Sequence, residues 1–144
     1  MILLDTSVLV DYFRGVDTPA TARLDRLESE GTHFAIPGIC CQELLQGAKD
    51  EAEWAELSDY LESQRIAHPR SPWETHVEAA RIYFDLRRLG ITVRSTIDCW
   101  IAQLALEAEA PLLHDDEDFE RIQRVRPLRV LAVQNQVPPA KPDE

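Results

Sequence analysis

The residue from which the chemistry of this chain can be argued is an acid near its amino terminus. Asp5 directly follows the apolar run 2–4 and precedes two hydroxyl side chains, Thr6 and Ser7. A short apolar run bounded by polar residues is typical of a strand buried on both faces, so the polar residues would emerge at its carboxyl end. In open α/β sheets that end is where ligands bind, which makes Asp5 a candidate site residue.

Three further acids, Glu43, Asp98 and Asp116, are predicted to lie at the same edge. Asp116 follows a short apolar strand, and Glu43 and Asp98 lie near the amino ends of predicted helices. Carboxylates gathered in a low-dielectric cleft repel one another unless a divalent cation holds them. Oxygen ligands without His or Cys select Mg²⁺ or Mn²⁺, and such ions commonly serve phosphoryl chemistry. The joint placement of the acids therefore predicts a Mg²⁺ or Mn²⁺ centre.

The elements that must position these acids alternate between short strands and longer helices. Strands are predicted over residues 2–4, 33–36, 66–68, 111–113 and 128–133. Helices are predicted over residues 6–15, 19–31, 41–48, 50–63, 71–89, 95–108 and 117–124. This alternation predicts an α/β fold, a parallel central sheet of about four to five strands flanked by helices, with right-handed crossovers. The carboxyl ends of all strands then lie on one edge.

Each acid also has a purely structural interpretation. Asp98 could form a capping box with Ser95, and Glu43 could face solvent. The acidic run 115–118 could stabilise the first turn of a helix through its dipole. Asp5 is the hardest to explain in this way, because it has no obvious cap to make beyond a turn with Ser7.

Two helices carry further expectations. The helix over 71–89 opens with Ser71 as N-cap and Glu74 as its capping-box partner. It is apolar on more than one side, so we expect it to pack against both the domain and a dimer mate or partner protein. The acidic helix over 50–63 is expected to turn Trp54 inward.

Length and composition indicate a single domain. The chain has 144 residues, of which 44% are hydrophobic, enough for one core and too few for two. We expect a single domain over 1–133 and a flexible tail over 134–144. The three cysteines and four histidines show no metal-binding spacing. Without a long apolar run or a signal peptide, a cytoplasmic protein is expected.

The net charge is 15 − 26 = −11, which argues against nonspecific nucleic-acid binding. The charge is uneven, however. Segments 81–94 and 120–129 each hold four arginines and one acid. Charges are screened beyond about 8 Å at physiological salt, so these segments could contact nucleic-acid phosphates or could be ordinary surface arginines.

Four short motifs occur in order over nearly the whole chain. They are Ile2-Leu3-Leu4-Asp5-Thr6-Ser7 with Val8 to Arg14, Glu43-Leu44-Leu45-Gln46-Gly47, Thr96-Ile97-Asp98 with Ile101-Ala102, and Leu112-Leu113-His114 leading to Asp116, Asp118 and Phe119. Together they resemble the PIN-domain family, specifically VapC-type toxins of bacterial and archaeal toxin–antitoxin pairs. The resemblance implies a parallel sheet flanked by helices, Mg²⁺- or Mn²⁺-dependent endoribonuclease activity, toxin dimers and inhibition by a cognate antitoxin.

The resemblance also implies roles for individual acids. Asp5 and Asp98 resemble the principal metal ligands, and Glu43 and Asp116 resemble the other members of an acidic quartet. Glu43 would bind the metal or position the attacking water. Asp118 resembles an additional acid that some members use.

Hydrogen-bonding roles are implied for two threonines, and one acid stays ambiguous. Thr6 resembles the hydroxyl that hydrogen-bonds within the site, and Thr96 is expected to hydrogen-bond to the site or the substrate. The spacing Asp-x-Asp-Phe favours Asp116 and Asp118 over Asp115 without excluding the latter.

Other functional classes remain open. A PIN-like domain could have lost turnover and act only through its antitoxin partner, although the complete quartet argues against decay. A phosphatase with Asp5 as nucleophile would usually carry a second Asp where Ser7 stands. A receiver domain is less favoured still, because no lysine follows at a suitable late strand end.

Overall fold

The computed structural model describes residues 1–131 and 133, so the tail predicted over 134–144 lies outside the described residues. The strands are β1 (Ile2–Leu4), β2 (Phe34–Pro37), β3 (Ile66–Ala67) and β4 (Leu112–Leu113). The helices are α1 (Thr6–Arg14), α2 (Pro19–Ser29), α3 (Gly38–Gln46), α4 (Glu51–Glu62), α5 (Pro72–Arg88), α6 (Thr96–Glu107) and α7 (Glu117–Ile122). The predicted alternation of strands and helices is confirmed.

The four strands form a parallel sheet in the order β3-β2-β1-β4. β1 therefore lies inside the sheet, with Leu3 paired to Ala35 of β2 on one side and to Leu112 of β4 on the other. Because the strands are parallel, the carboxyl ends of β1, β2 and β4 point to one edge. The predicted α/β fold class is confirmed.

The strand predicted over 128–133 is reduced to an isolated bridge in the described residues. Val130 pairs in parallel with Leu112. The Leu112 N–H donates to the Arg129 carbonyl, and the Leu131 N–H donates to the Leu112 carbonyl, both at 2.9 Å. β4 has only two residues, so it offers this segment little backbone to pair with.

The burial of β1 agrees with its position between two other strands of the sheet. All three residues of β1 are buried, and Leu3 and Leu4 are fully enclosed. Helices cover the sheet, and α5 and α6 form a hairpin whose residues Ile82, Leu86 and Ile101 are also fully buried. Burying one such side chain stabilises the fold by roughly 1.5–3 kcal/mol.

The N-cap residues of α2, α5 and α6 differ in whether their side chains make capping hydrogen bonds. Thr18 caps α2, because its hydroxyl accepts the Thr21 N–H at 3.1 Å. Ser71 and Ser95 occupy the N-cap positions of α5 and α6, yet in the described chain neither hydroxyl makes a capping bond. The capping box predicted for Ser71 with Glu74 is therefore wrong, and the capping box with Ser95 that was the structural alternative for Asp98 is not formed.

Several large apolar side chains remain on the surface. On α5, Trp73 is 76% exposed and Phe84 is 47% exposed, and Leu89 beyond its end is 59% exposed. Trp54 on α4 is 48% exposed, so the prediction that it points inward is wrong. Within residues 1–131 and 133, none of the helices has the length and apolar character needed to cross a membrane.

The central position of β1 gives a stability prediction. Replacing Leu3 with Ala leaves a cavity between the sheet and its helices, so we expect the free energy of unfolding to fall by about 3 kcal/mol. The same substitution at exposed Leu89 is the matched control and should change it by less than about 0.5 kcal/mol. Urea unfolding of both variants measures this, and equal losses would contradict the buried position of β1.

Candidate active site

Asp5 lies at the carboxyl end of β1 and is 3% exposed. Its backbone N–H donates to the Leu113 carbonyl of β4 at 3.0 Å. Its side chain caps α1, because Oδ2 accepts the Ser7 N–H at 3.0 Å and the Ser7 hydroxyl at 2.5 Å. The other oxygen, Oδ1, is buried and finds no hydrogen-bond partner among the described residues.

Ser7 connects this carboxylate to the neighbouring strand. While its hydroxyl donates to Asp5, its oxygen accepts the backbone N–H of Asp115 at 2.9 Å. The loop after β4 is thereby held against the end of β1. Asp115 contributes its backbone to this link, and its side chain is exposed.

Glu43 reaches the same edge from α3, which begins directly after β2. Its Oε1 accepts a hydrogen bond from the Thr6 hydroxyl at 2.8 Å. Glu43 is half-buried and close enough to Asp5 for its charge to raise the pKa of that carboxyl. Thr6 therefore hydrogen-bonds within the acidic cluster.

Asp98 lies in the first turn of α6 and is 8% exposed. Its Oδ2 is buried and has no hydrogen-bond partner in the part of the chain that the structure describes. A capping box would require Asp98 to accept the Ser95 N–H. That N–H donates to Asp118 instead, so Asp98 has no capping role. Asp118 accepts the backbone N–H groups of Arg94 and Ser95 at 2.9–3.1 Å.

The loop after β4 brings the last two acids to Asp98. Asp116 caps α7 through a bond from the Asp118 N–H to its Oδ1 at 2.9 Å. Asp118 is fully buried and accepts a further bond from Arg121 Nη1 at 2.9 Å. One carboxylate oxygen from each of Asp98, Asp116 and Asp118 lies within 4.8 Å of the others.

The crowding of these carboxyl groups shifts their protonation. Burial, a hydrogen bond to Asp118 and the charges of Asp5, Asp116 and Asp118 raise the pKa of Asp98 to about 8. Burial also acts to raise the pKa of Asp118, but hydrogen bonds from Asp98, the Arg94 and Ser95 N–H groups and Arg121 hold it below its usual value. At neutral pH the metal-free protein therefore keeps a proton on Asp98.

Burial is also the main cause that raises the pKa of Asp5, and the charge of Glu43 adds to it against the Ser7 hydrogen bonds. Asp5 and Asp98 thus each hold a buried oxygen without a partner, at an edge that three other acids share. Buried polar atoms are normally hydrogen-bonded, so these two oxygens need an explanation. A divalent cation reduces the repulsion among carboxylates that it binds, and an oxygen-only donor set such as Asp98, Asp116 and Asp118 is of the kind that Mg²⁺ and Mn²⁺ prefer.

Thr96 stands apart from this cluster in the described structure. It is exposed at the first position of α6 and lines a groove of about 770 Å³ with Tyr83 and Trp100. Its expected hydrogen bond to the site or substrate stays a prediction.

Sequence reasoning missed the groups that hold the acids in place. These are the backbone N–H groups before α6, Arg121 and His114, whereas the contact of Asp5 with Ser7 was expected. His114 Nδ1 accepts the Asp116 N–H at 3.2 Å, and its ring packs on Phe119 with centroids 4.9 Å apart. Burial lowers the pKa of His114, in keeping with a neutral acceptor. Two spacings are visible in the sequence: His114 stands two residues before Asp116, and Arg121 stands three residues after Asp118.

The chain was compared with known families and proteins. Residues 2–125 match the PIN domain. Ribonuclease VapC11 of Mycobacterium tuberculosis is 36% identical over 130 residues, which cover 90% of this chain and 96% of the relative. VapC ribonuclease Mb1587 of Mycobacterium bovis matches with the same identity and coverage.

Two solved structures share the fold at lower identity. VapBC-1 from nontypeable Haemophilus influenzae has a TM-score of 0.70 at 21% identity, covering 92% of this chain and 98% of that chain. VapBC2 from Rickettsia felis, bound to a DNA fragment from its promoter, has a TM-score of 0.68 at 19% identity, covering 91% and 98%. Both agree with the parallel sheet and flanking helices described above.

The protonated state of Asp98 predicts a pH-dependent stability in chelator. The unfolded chain loses this proton near pH 4, whereas the folded chain keeps it to about pH 8. The folded state binds the extra proton in between, so stability falls as pH rises through this window, by at most about 1.4 kcal/mol per unit. Asp98→Asn keeps a hydrogen-bond donor for Asp118 and does not titrate. The free energy of unfolding of this variant should therefore rise relative to that of the wild type as the pH rises.

Urea unfolding at pH 5, 6, 7 and 8 measures the difference between the two proteins. Asp115→Asn, at an exposed acid in the same loop, is the control and should follow the wild type. Parallel stability curves for wild type and Asp98→Asn would show that Asp98 holds no extra proton in the folded state.

Proposed function

Since the chain belongs to the PIN-domain family, we propose that it is a metal-dependent endoribonuclease and the toxin of a type II toxin–antitoxin system. The observation that carries this proposal is the pair of unpartnered buried oxygens on Asp5 and Asp98. They lie at a sheet edge where further acids converge, and relatives that are 36% identical carry the name VapC ribonuclease.

Asp5, Asp98 and Asp116 would hold Mg²⁺ or Mn²⁺, with Glu43 and Asp118 completing the set. When bound, the cation supplies positive charge that stabilises a phosphodiester under attack and makes water more acidic. The Ser7 bonds orient the carboxylate of Asp5, and Arg121 with two backbone N–H groups orients that of Asp118. These fixed partners support a site that is organised before substrate binds.

Glu43 is the acid whose contacts constrain its chemical role least. It is half-buried, and Thr6 fixes one oxygen, Oε1, while the other is available for a proton or a ligand. Glu43 would accept the proton of the attacking water or bind the cation itself. Thr96, exposed at the start of α6, would hydrogen-bond to the RNA.

The partners follow from the same proposal. Residues 1–133 would form one PIN-like domain that acts on RNA in the cytoplasm and is inhibited by a cognate antitoxin. The exposed side chains of Trp73, Phe84 and Leu89 along α5 would serve a homodimer or the toxin–antitoxin hetero-oligomer.

A second candidate function is a PIN-like module with little or no turnover that acts through its antitoxin. The intact set of Asp5, Glu43, Asp98 and Asp116 argues against it, since a site under no catalytic selection would be free to lose an acid. Cation binding without any RNA cleavage would favour this alternative.

The proposed activity predicts the effect of removing one ligand. Asp5→Asn keeps the size and the Ser7 contacts but loses the charge, so we expect cleavage of structured RNA in Mn²⁺ to fall by about 100-fold or more. Chelator should abolish the wild-type activity. Asp115→Asn removes a charge from an exposed side chain beside the site and should retain activity. RNA cleavage that persists in Asp5→Asn would contradict the proposal.

The contact between Thr6 and Glu43 gives a separate prediction. Thr6→Val keeps the shape but removes the donor to Glu43, so kcat should fall by about tenfold. Thr6→Ser keeps a hydroxyl and should retain most of the activity. Single-turnover cleavage under saturating Mn²⁺ measures both, and equal rates for the two variants would show that the hydroxyl is not needed.

A further inference from the structure

The arginines of the two basic segments differ in what their side chains contact. Arg81 and Arg126 both pair with Asp85 at 3.0 Å. Arg121 pairs with Asp118 at 2.9 Å. These three guanidinium groups are already paired with carboxylates of the fold at hydrogen-bonding distance.

Two arginines on α5 lie beside aromatic rings. Arg87 is 5.9 Å from the centre of the Tyr83 ring, and Arg88 is 5.7 Å from the centre of the Phe84 ring. They line a shallow cavity on α5 that does not include the acidic cluster.

Arg94 differs because it lines the same cavity as Asp116 and Asp118, a space of about 870 Å³. Its backbone N–H donates to both oxygens of Asp118, at 3.1 and 2.9 Å. The residue is thus fixed beside the acids, whereas its side chain is 73% exposed. The guanidinium is therefore able to meet a ligand that enters the cavity.

The ion pair that Arg94 makes within the described residues is a weak one. Its Nη2 lies 3.7 Å from Oε2 of Glu117, which is too far for a hydrogen bond, and the Glu117 side chain is 69% exposed. Exposed pairs of this kind contribute little stability. Glu117 also contacts Arg121 at 3.3 Å, so it keeps a cation when Arg94 moves away.

We propose that Arg94 binds a phosphate of the RNA substrate and that Glu117 competes with the RNA for its guanidinium. This rests on the proposed function, since it names a substrate contact at the same site. The cavity is lined by several carboxylates, which repel a polyanion, so a cationic side chain at its wall favours entry of the RNA. A guanidinium is suited to this role because two of its N–H groups match two phosphate oxygens.

Steady-state cleavage of a short single-stranded RNA in Mn²⁺ tests the proposal. Arg94→Ala should raise KM about tenfold and change kcat less than twofold, because a charge-assisted contact to bound substrate is lost. The backbone bonds to Asp118 remain, so stabilisation of the protein by Mn²⁺ should be unchanged. The dependence of log KM on log salt should weaken by about 1. Arg94→Lys should recover part of the loss.

Matched variants make the test specific. Arg26→Ala removes an exposed arginine on α2, outside both basic segments, and should leave KM unchanged. Glu117→Gln should lower KM more in the wild-type background than in the Arg94→Ala background. Losing the Glu117 charge weakens the repulsion of RNA in both proteins, but it frees a guanidinium only where Arg94 is present.

An unchanged KM in Arg94→Ala, or a fall in kcat alone, would overturn this proposal while leaving the proposed function intact. If the wild type cleaves no RNA, the proposed function fails instead. In that case, fluorescence anisotropy with labelled RNA in Mn²⁺ still measures whether Arg94 contributes to RNA binding. Weaker binding by Arg94→Ala then supports the contact, and equal binding overturns it.

Discussion

The repulsion among buried carboxyl groups at one edge of the sheet is the constraint on which the rest of this structure depends. Asp5 and Asp98 are both nearly inaccessible, and each keeps one oxygen without a hydrogen-bond partner in the described chain. A fold that only needed stability would gain by replacing them with apolar residues. The arrangement is understandable if the charges are held for a cation and the protein relieves part of the strain by keeping a proton on Asp98.

The fold supplies the means to hold these groups together. β1 lies between β2 and β4, so the chain that leaves each of these strands starts at one edge. Ser7 then joins the ends of β1 and β4 by accepting from the backbone of Asp115 while it donates to Asp5. Asp118 caps α6 from a distant segment, which leaves Asp98 free of any capping duty. Structural hydrogen bonds are thus made by neighbours of the cluster, and in the described residues Asp5 Oδ1 and Asp98 Oδ2 keep no partner.

Local signals made the strands and the placement of Asp5 predictable, because a fully apolar run that ends in a carboxylate has few other interpretations. The α/β class followed from the alternation of short and long segments. The structural alternative for Asp98, a capping box with Ser95, is not formed because the Ser95 N–H donates to Asp118 instead. Asp118 lies 23 residues from Ser95 and reaches α6 only through tertiary contacts. The choice between Asp115 and Asp116 likewise depended on which side chain turns inward after β4, and spacing alone does not encode that direction.

The central claim is that this edge of the sheet binds a divalent cation through Asp5 and Asp98. A crystal structure of the protein soaked with Mn²⁺, with anomalous diffraction measured at the manganese edge, tests it most directly. We expect one strong anomalous peak within bonding distance of Asp5 Oδ1 and Asp98 Oδ2, the two oxygens that lack partners. A map without a peak there at saturating Mn²⁺, or with a peak bound only by exposed acids, would contradict the claim.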